Sequence, residues 1–203
     1  VSCSAQDNFT GEVKMRMSES EGRTFDISYL VKDNLIRFGT DMEGQKMGII
    51  FNSEKNVMLM IMDEQKMYME MPMDMVNKQM EMKENNTDSE NKFTATGETK
   101  EIIGYACEKW LYEDEKNKAE VWLTKDIGKF KFFEGGLGGM QKAEGWQSSI
   151  EKSGSFPVLV INRDKSGNEL NRLEVLSVEK KELDDILFKV PSGYQKFDMP
   201  KMN

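Results

Sequence analysis

The chain has 203 residues, of which 36 are Asp or Glu and 28 are Lys or Arg; its formal net charge is −8 and it contains no histidine. Without an imidazole, a Ser-His-Asp triad, a Cys-His pair, a His-liganded zinc and a His general base are excluded. The acidic balance lacks the concentrated basic patch that nucleic acid requires, and no run of 18 apolar residues reads as a transmembrane helix.

Val1-Ser2-Cys3-Ser4-Ala5-Gln6 crowds small residues where an export signal is cut, so residues 1–8 read as an export-signal remnant or a lipoprotein tether. Two cuts fit. Val1-Ser2-Cys3 ends a bacterial lipobox in which Cys3 becomes the acylated first residue, whereas Ser4-Ala5-Gln6 suits a soluble exported protein. Cys107 lies in a strand-like run, where a lone thiol is most often a small buried hydrophobe. A Cys3–Cys107 bridge is allowed in an oxidising compartment.

From Phe9 the dominant period is two. Phe9, Gly11, Val13, Met15 and Met17 alternate with Thr10, Glu12, Lys14 and Arg16, the pattern of a strand with one buried face. Phe25, Ile27, Tyr29 and Val31 repeat it, and Asp33-Asn34 turns the chain into Leu35–Phe38. Met47–Phe51, Asn56–Met62 and Gln65–Met71 follow, separated by Asn52-Ser53-Glu54-Lys55 and by Asp63-Glu64, so an antiparallel meander of six short strands is predicted for the first 71 residues.

Met73, Val76 and Met80 then fall at i, i+3 and i+7, predicting a short amphipathic helix from Met73 to Met82, and the polar run Lys83–Lys92 predicts an exposed loop. Strands return at Phe93–Thr99, Tyr105–Tyr112 and Ala119–Thr124. Between Asp126 and Gly154, aromatic bulk alternates with the cluster Gly135-Gly136-Leu137-Gly138-Gly139, which lacks the Gly-Lys-Ser/Thr ending of a phosphate loop. It reads as a flexible connector or as a hinged flap, carrying Phe132, Phe133, Leu137 and Trp146, that covers an apolar groove. Phe156–Asn162 and Glu169–Glu179 are further strands, Leu183–Phe188 a helical turn, and Val190–Tyr194 a closing segment. No stretch has linker composition, so residues 9–203 read as one domain.

Seventeen residues are Met, and ten of them lie between Met58 and Met82. On an extended strand, Met67, Met69, Met71, Met73 and Met75 would form a thioether row on one face. Soft sulfur can hold Cu(I). Met is also the adaptable hydrophobe that lines surfaces accepting ligands of varied shape, and no His or Cys nearby completes a copper site, so an apolar groove is the favoured reading. Its expected lining is Met58, Met60, Met62, Met67, Met69 and Met71, with Phe132, Phe133 and Trp146 as the cover. Among 36 acidic residues some pair always looks suited to acid–base chemistry, so pairs such as Asp184-Asp185 select no enzyme. Asp41 and Glu43 lack the spacing of an EF-hand. No catalytic residue, resident metal or cofactor is implied.

Four segments carry a resemblance: Phe9-Thr10-Gly11-Glu12-Val13, Ile103-Gly104-Tyr105-Ala106-Cys107-Glu108-Lys109-Trp110, Ala119-Glu120-Val121-Trp122-Leu123-Thr124 and Val190-Pro191-Ser192-Gly193-Tyr194. They resemble the exported bacterial proteins grouped as domain of unknown function 4412, similar in layout to the LolA, LolB and LppX lipoprotein carriers. The resemblance implies a mainly β fold, a curved antiparallel half-barrel with one or two short helices and an apolar concave face. LolA-type members use that face for acyl chains. The resulting expectation is a non-enzymatic envelope protein of a Gram-negative bacterium, periplasmic or attached to the outer membrane, that binds a lipid, an acyl chain or another hydrophobic ligand. The alternatives are a lipid-anchored accessory or scaffold subunit with an envelope protein partner, and Met-rich Cu(I) binding in the periplasm. Membrane contact would come only through an acylated Cys3, and no nucleic acid is expected.

Overall fold

A computed structural model of the protein describes residues 9–42, 45–74, 92–115, 117–128, 149–150 and 153–197. Among them twelve strands form in chain order: β1 (Gly11–Glu19), β2 (Thr24–Lys32), β3 (Leu35–Met42), β4 (Gln45–Asn52), β5 (Val57–Met62), β6 (Met67–Pro72), β7 (Lys92–Ile102), β8 (Tyr105–Glu113), β9 (Asn117–Thr124), β10 (Phe156–Asp164), β11 (Glu169–Lys180) and β12 (Gln195–Lys196). They hydrogen-bond into one sheet in the order β12-β6-β5-β4-β3-β2-β1-β11-β10-β9-β8-β7. Period-two alternation places all six strands of the expected first meander. Asp33 takes a φ of 51° in the turn joining β2 to β3.

Two meanders, β1–β6 and β7–β11, meet where β1 pairs with β11. Gly11 makes that junction feasible. At its φ of 151°, an added Cβ would lie 2.1 Å from the carbonyl oxygen of Glu179 on β11, so no side chain fits. The sheet is strongly curved. Between β2 and β10 there are three strand spacings, about 14 Å on a flat sheet, yet the rings of Tyr29 and Phe156 lie 6.3 Å apart. Register shifts at Lys14/Met15 and Pro157/Leu159 belong to the strands around this bend, and bulges of this kind increase local twist.

The inner face holds the main core, including Val13, Met15, Tyr29, Phe38, Val121, Phe156 and Val160, with Phe9, Ile127 and Ile150 packed in from outside the strands. A second core lies on the outer face. After β11 the chain runs back across β2–β6 as a strap through a 3₁₀ turn (Asp185–Phe188), burying Leu183 and Phe188 against Ile50 and Ile61. Polar clamps hold it. Lys181 donates to Glu12, Lys32 donates to the carbonyl of Leu183 and to Asp185, Arg37 donates to the carbonyl of Leu187, and the Tyr194 hydroxyl donates to Asp63. The strap ends as β12, which pairs parallel with β6 and has no counterpart among the strands expected from the sequence.

The helix expected over 73–82 is met only at its helical first two residues, Met73 and Asp74. Its remainder, most of the Lys83–Lys92 loop, the glycine cluster and residues 1–8 lie outside the described residues.

Candidate functional site

Strand β5 reads Val57-Met58-Leu59-Met60-Ile61-Met62. With side chains alternating across the sheet, Leu59 and Ile61 face the strap, while Met58, Met60 and Met62 face inward. The register with β6 pairs Met58 with Met71, Met60 with Met69 and Met62 with Met67. All six expected lining residues are therefore brought together as three cross-strand pairs on one face, with Cβ atoms about 4.5–5.5 Å apart within each pair. Strand β4 continues the rows, placing Phe51, Ile49 and Met47 opposite Met58, Met60 and Met62. Met47 stands well before the Met-dense segment in sequence, and only the register reveals it.

Burial is graded along this face. Met58 is 2% exposed and joins the main core, whereas Met47, Met60, Met62, Met67, Met69 and Met71 are partly buried. Toward β1 and β2 the same face is closed by ring contacts, Tyr29 against Phe38 at 4.8 Å and Phe38 against Phe51 at 6.1 Å. The accessible apolar surface of the inner face thus includes the β4–β6 end, where thioethers replace rings and β-branched side chains.

The expected five-Met row is shorter in the structure. Proline, with fixed φ and no N–H, ends the ladder at Pro72. Met73 is helical and its N–H donates to the carbonyl of Asn56, which takes it off the row. Met75, Phe132, Phe133, Trp146 and Cys3 lie outside the described residues.

One row contains a polar intruder. Ile27, Thr40, Met47, Met62 and Met67 follow one another across β2–β6. Thr40 Oγ1 is the one buried side-chain nitrogen or oxygen among the described residues with no hydrogen bond. Leaving such an atom unsatisfied costs about 1–3 kcal/mol.

Other chemistry-bearing groups serve packing. Cys107 is a free thiol, 1% exposed, and desolvation pushes its pKa up, so the reactive thiolate is disfavoured. Asp184 caps the 3₁₀ turn by accepting from the N–H of Ile186, and Lys32 holds the Asp185 carboxyl below its ordinary range by donating a hydrogen bond to it. Trp122 is buried beneath Lys100, whose Nζ lies 3.9 Å from the ring centroid, and its Nε1 donates to Glu120 at 2.8 Å. Phe93 and Trp110 stack at 4.8 Å near the β7 edge. Among the described residues no three His, Cys, Asp or Glu side chains gather as metal ligands.

The family model described as domain of unknown function (DUF4412) matches residues 9–194. The chain belongs to this family. This DUF4412 protein is similar in fold to an uncharacterized conserved protein from Thermus thermophilus, with a TM-score of 0.58 at 9% identity, covering 95% of this chain and 93% of that one. It is also similar to MucB, a protein of LolA-like fold, with a TM-score of 0.52 at 8% identity over 94% of this chain and 60% of MucB. A third likeness is to PNGF-II, with a TM-score of 0.51 at 18% identity over 94% of this chain and 31% of that one. The chain thus spans only part of MucB and of PNGF-II. None of the curated proteins matches the sequence. No helix among the described residues is long and apolar enough to cross a membrane.

Proposed function

We propose that this DUF4412 protein is a non-enzymatic, exported envelope protein that holds a lipid or another hydrophobic ligand on the inner face of β4–β6. The observation that carries this reading is the face-specific choice of residue on β5. Leu59 and Ile61, on the strap side, are ordinary core residues, whereas every inward position is Met. Composition alone would not sort the two faces. Branched residues suit strands better than Met does, so the inward Met row gives up strand propensity for a flexible, polarizable surface that re-packs around different shapes. The curved LolA-like sheet supports the same reading, since a sheet bent toward one face shelters a concave apolar surface. Phe132, Phe133 and Trp146 add apolar bulk that would complete the cover, and an acylated Cys3 would tether the domain to a membrane.

Native mass spectrometry and solvent extraction of the protein purified from its own envelope test the proposal. A co-purifying amphiphile is expected, present with wild-type protein and absent from a Met60→Asp/Met69→Asp variant. Protein that carries no lipid but brings a stoichiometric protein partner would replace the carrier reading with the accessory-subunit one.

A further inference from the structure

We propose that Met47, Met62 and Met67 form a three-thioether site for a soft monovalent cation, Cu(I) or Ag(I). Of the three rows crossing β4–β6, Phe51–Met58–Met71 and Ile49–Met60–Met69 each hold two thioethers, and only Met47–Met62–Met67 holds three. Sulfur donors select Cu(I) over the harder divalent ions that carboxylates prefer. Met62 stands one strand spacing, about 4.8 Å, from each of Met47 and Met67, and Met side chains are long and flexible. Met62 faces its two partners from the middle strand, and the sheet curves toward this face, which brings side-chain tips together.

The row is also reachable. Met62 and Met67 flank the turn at residues 63–66, where Glu64, Gln65 and Lys66 are exposed, and all three methionines of the row are partly buried. The site shares its face with the proposed lipid surface but differs from it in chemistry: a hydrophobic ligand requires apolar area, whereas a soft cation requires sulfur.

That difference supplies the test. Protein labelled with ¹³C in the Met ε-methyl groups is titrated with Ag(I), and Cu(I) affinity is measured under anaerobic reducing conditions against a chromophoric Cu(I) chelator. One equivalent of Ag(I) should shift the ε-methyl signals of Met47, Met62 and Met67 and leave those of buried Met15 and Met58 in place. Met62→Leu should weaken Cu(I) binding at least tenfold, while Met17→Leu, on β1, should leave it unchanged. Shifts spread evenly over all accessible methionines, no shift at all, or unchanged Cu(I) affinity in Met62→Leu and in a Met47→Leu/Met67→Leu variant would overturn the site.

Discussion

On β5, Leu59 and Ile61 look toward the C-terminal strap while Met58, Met60 and Met62 look toward the curled interior, and the two sides are finished in different ways. The outer side is sealed by the chain itself. Leu183 and Phe188 pack onto Ile50 and Ile61, and charged side chains pin the strap's carbonyls. The inner side is sealed near β1 and β2 but left partly buried at β4–β6, where Met replaces branched residues. A single strand can thus contribute a rigid core on one face and an adaptable surface on the other, because side chains alternate and each face meets a different partner.

Substitutions should separate the two sides, most severely at the strap. Ile61 is fully buried on the outer face, so Ile61→Ala should lower stability by about 2–5 kcal/mol, measured by chemical denaturation, and leave ligand binding on the inner face intact in the folded fraction. Arg37 NH1 donates to the Leu187 carbonyl at 2.7 Å. Arg37→Met keeps much of the stem but removes this charge-assisted bond, for an expected loss of about 1.5–3 kcal/mol together with faster amide exchange in residues 183–190. On the inner face the sign reverses. Thr40→Val removes the unpaired hydroxyl without changing shape, so the denaturation midpoint should rise, by about 1 kcal/mol of added stability, with the slope unchanged.

The smallest effect concerns pH. Lys181, at the start of the strap, donates a hydrogen bond to Glu12 and holds its carboxyl below the ordinary range. A carboxylate with a lowered folded pKa stabilises the fold above its unfolded value, about 4.3 for Glu, and loses that contribution as pH falls through the lower folded value. The stability gap between wild type and Glu12→Gln should therefore stay constant from neutral pH to about pH 5 and close at lower pH.

Much of this arrangement is legible in the sequence because period-two alternation survives folding: β1–β6, β11 and the inward set Met58–Met71 follow from it directly, while β10 reads as a strand apolar on both faces and is buried on both. What escapes depends on register or on distant packing. Met47 joins the Met row only through the β4–β5 pairing, and β12 exists because residues 181–194 cross the outer face and deliver Gln195 to the edge of β6. No local signal marks either. Alternation alone assigns Met73 to the row, because it continues past Pro72 in sequence while the ladder stops there. The burial of Trp122 under Lys100 and Lys109 likewise needs β7, β8 and β9 to be assembled first.

The most direct measurement is paramagnetic broadening of the ¹³C-labelled Met ε-methyl signals by a fatty acid carrying a nitroxide on its chain. Broadening is expected at Met60, Met62, Met67, Met69 and Met71, with buried Met15 far less affected. Uniform broadening, or broadening confined to methionines elsewhere in the chain, would contradict a hydrophobic ligand on the inner face of β4–β6.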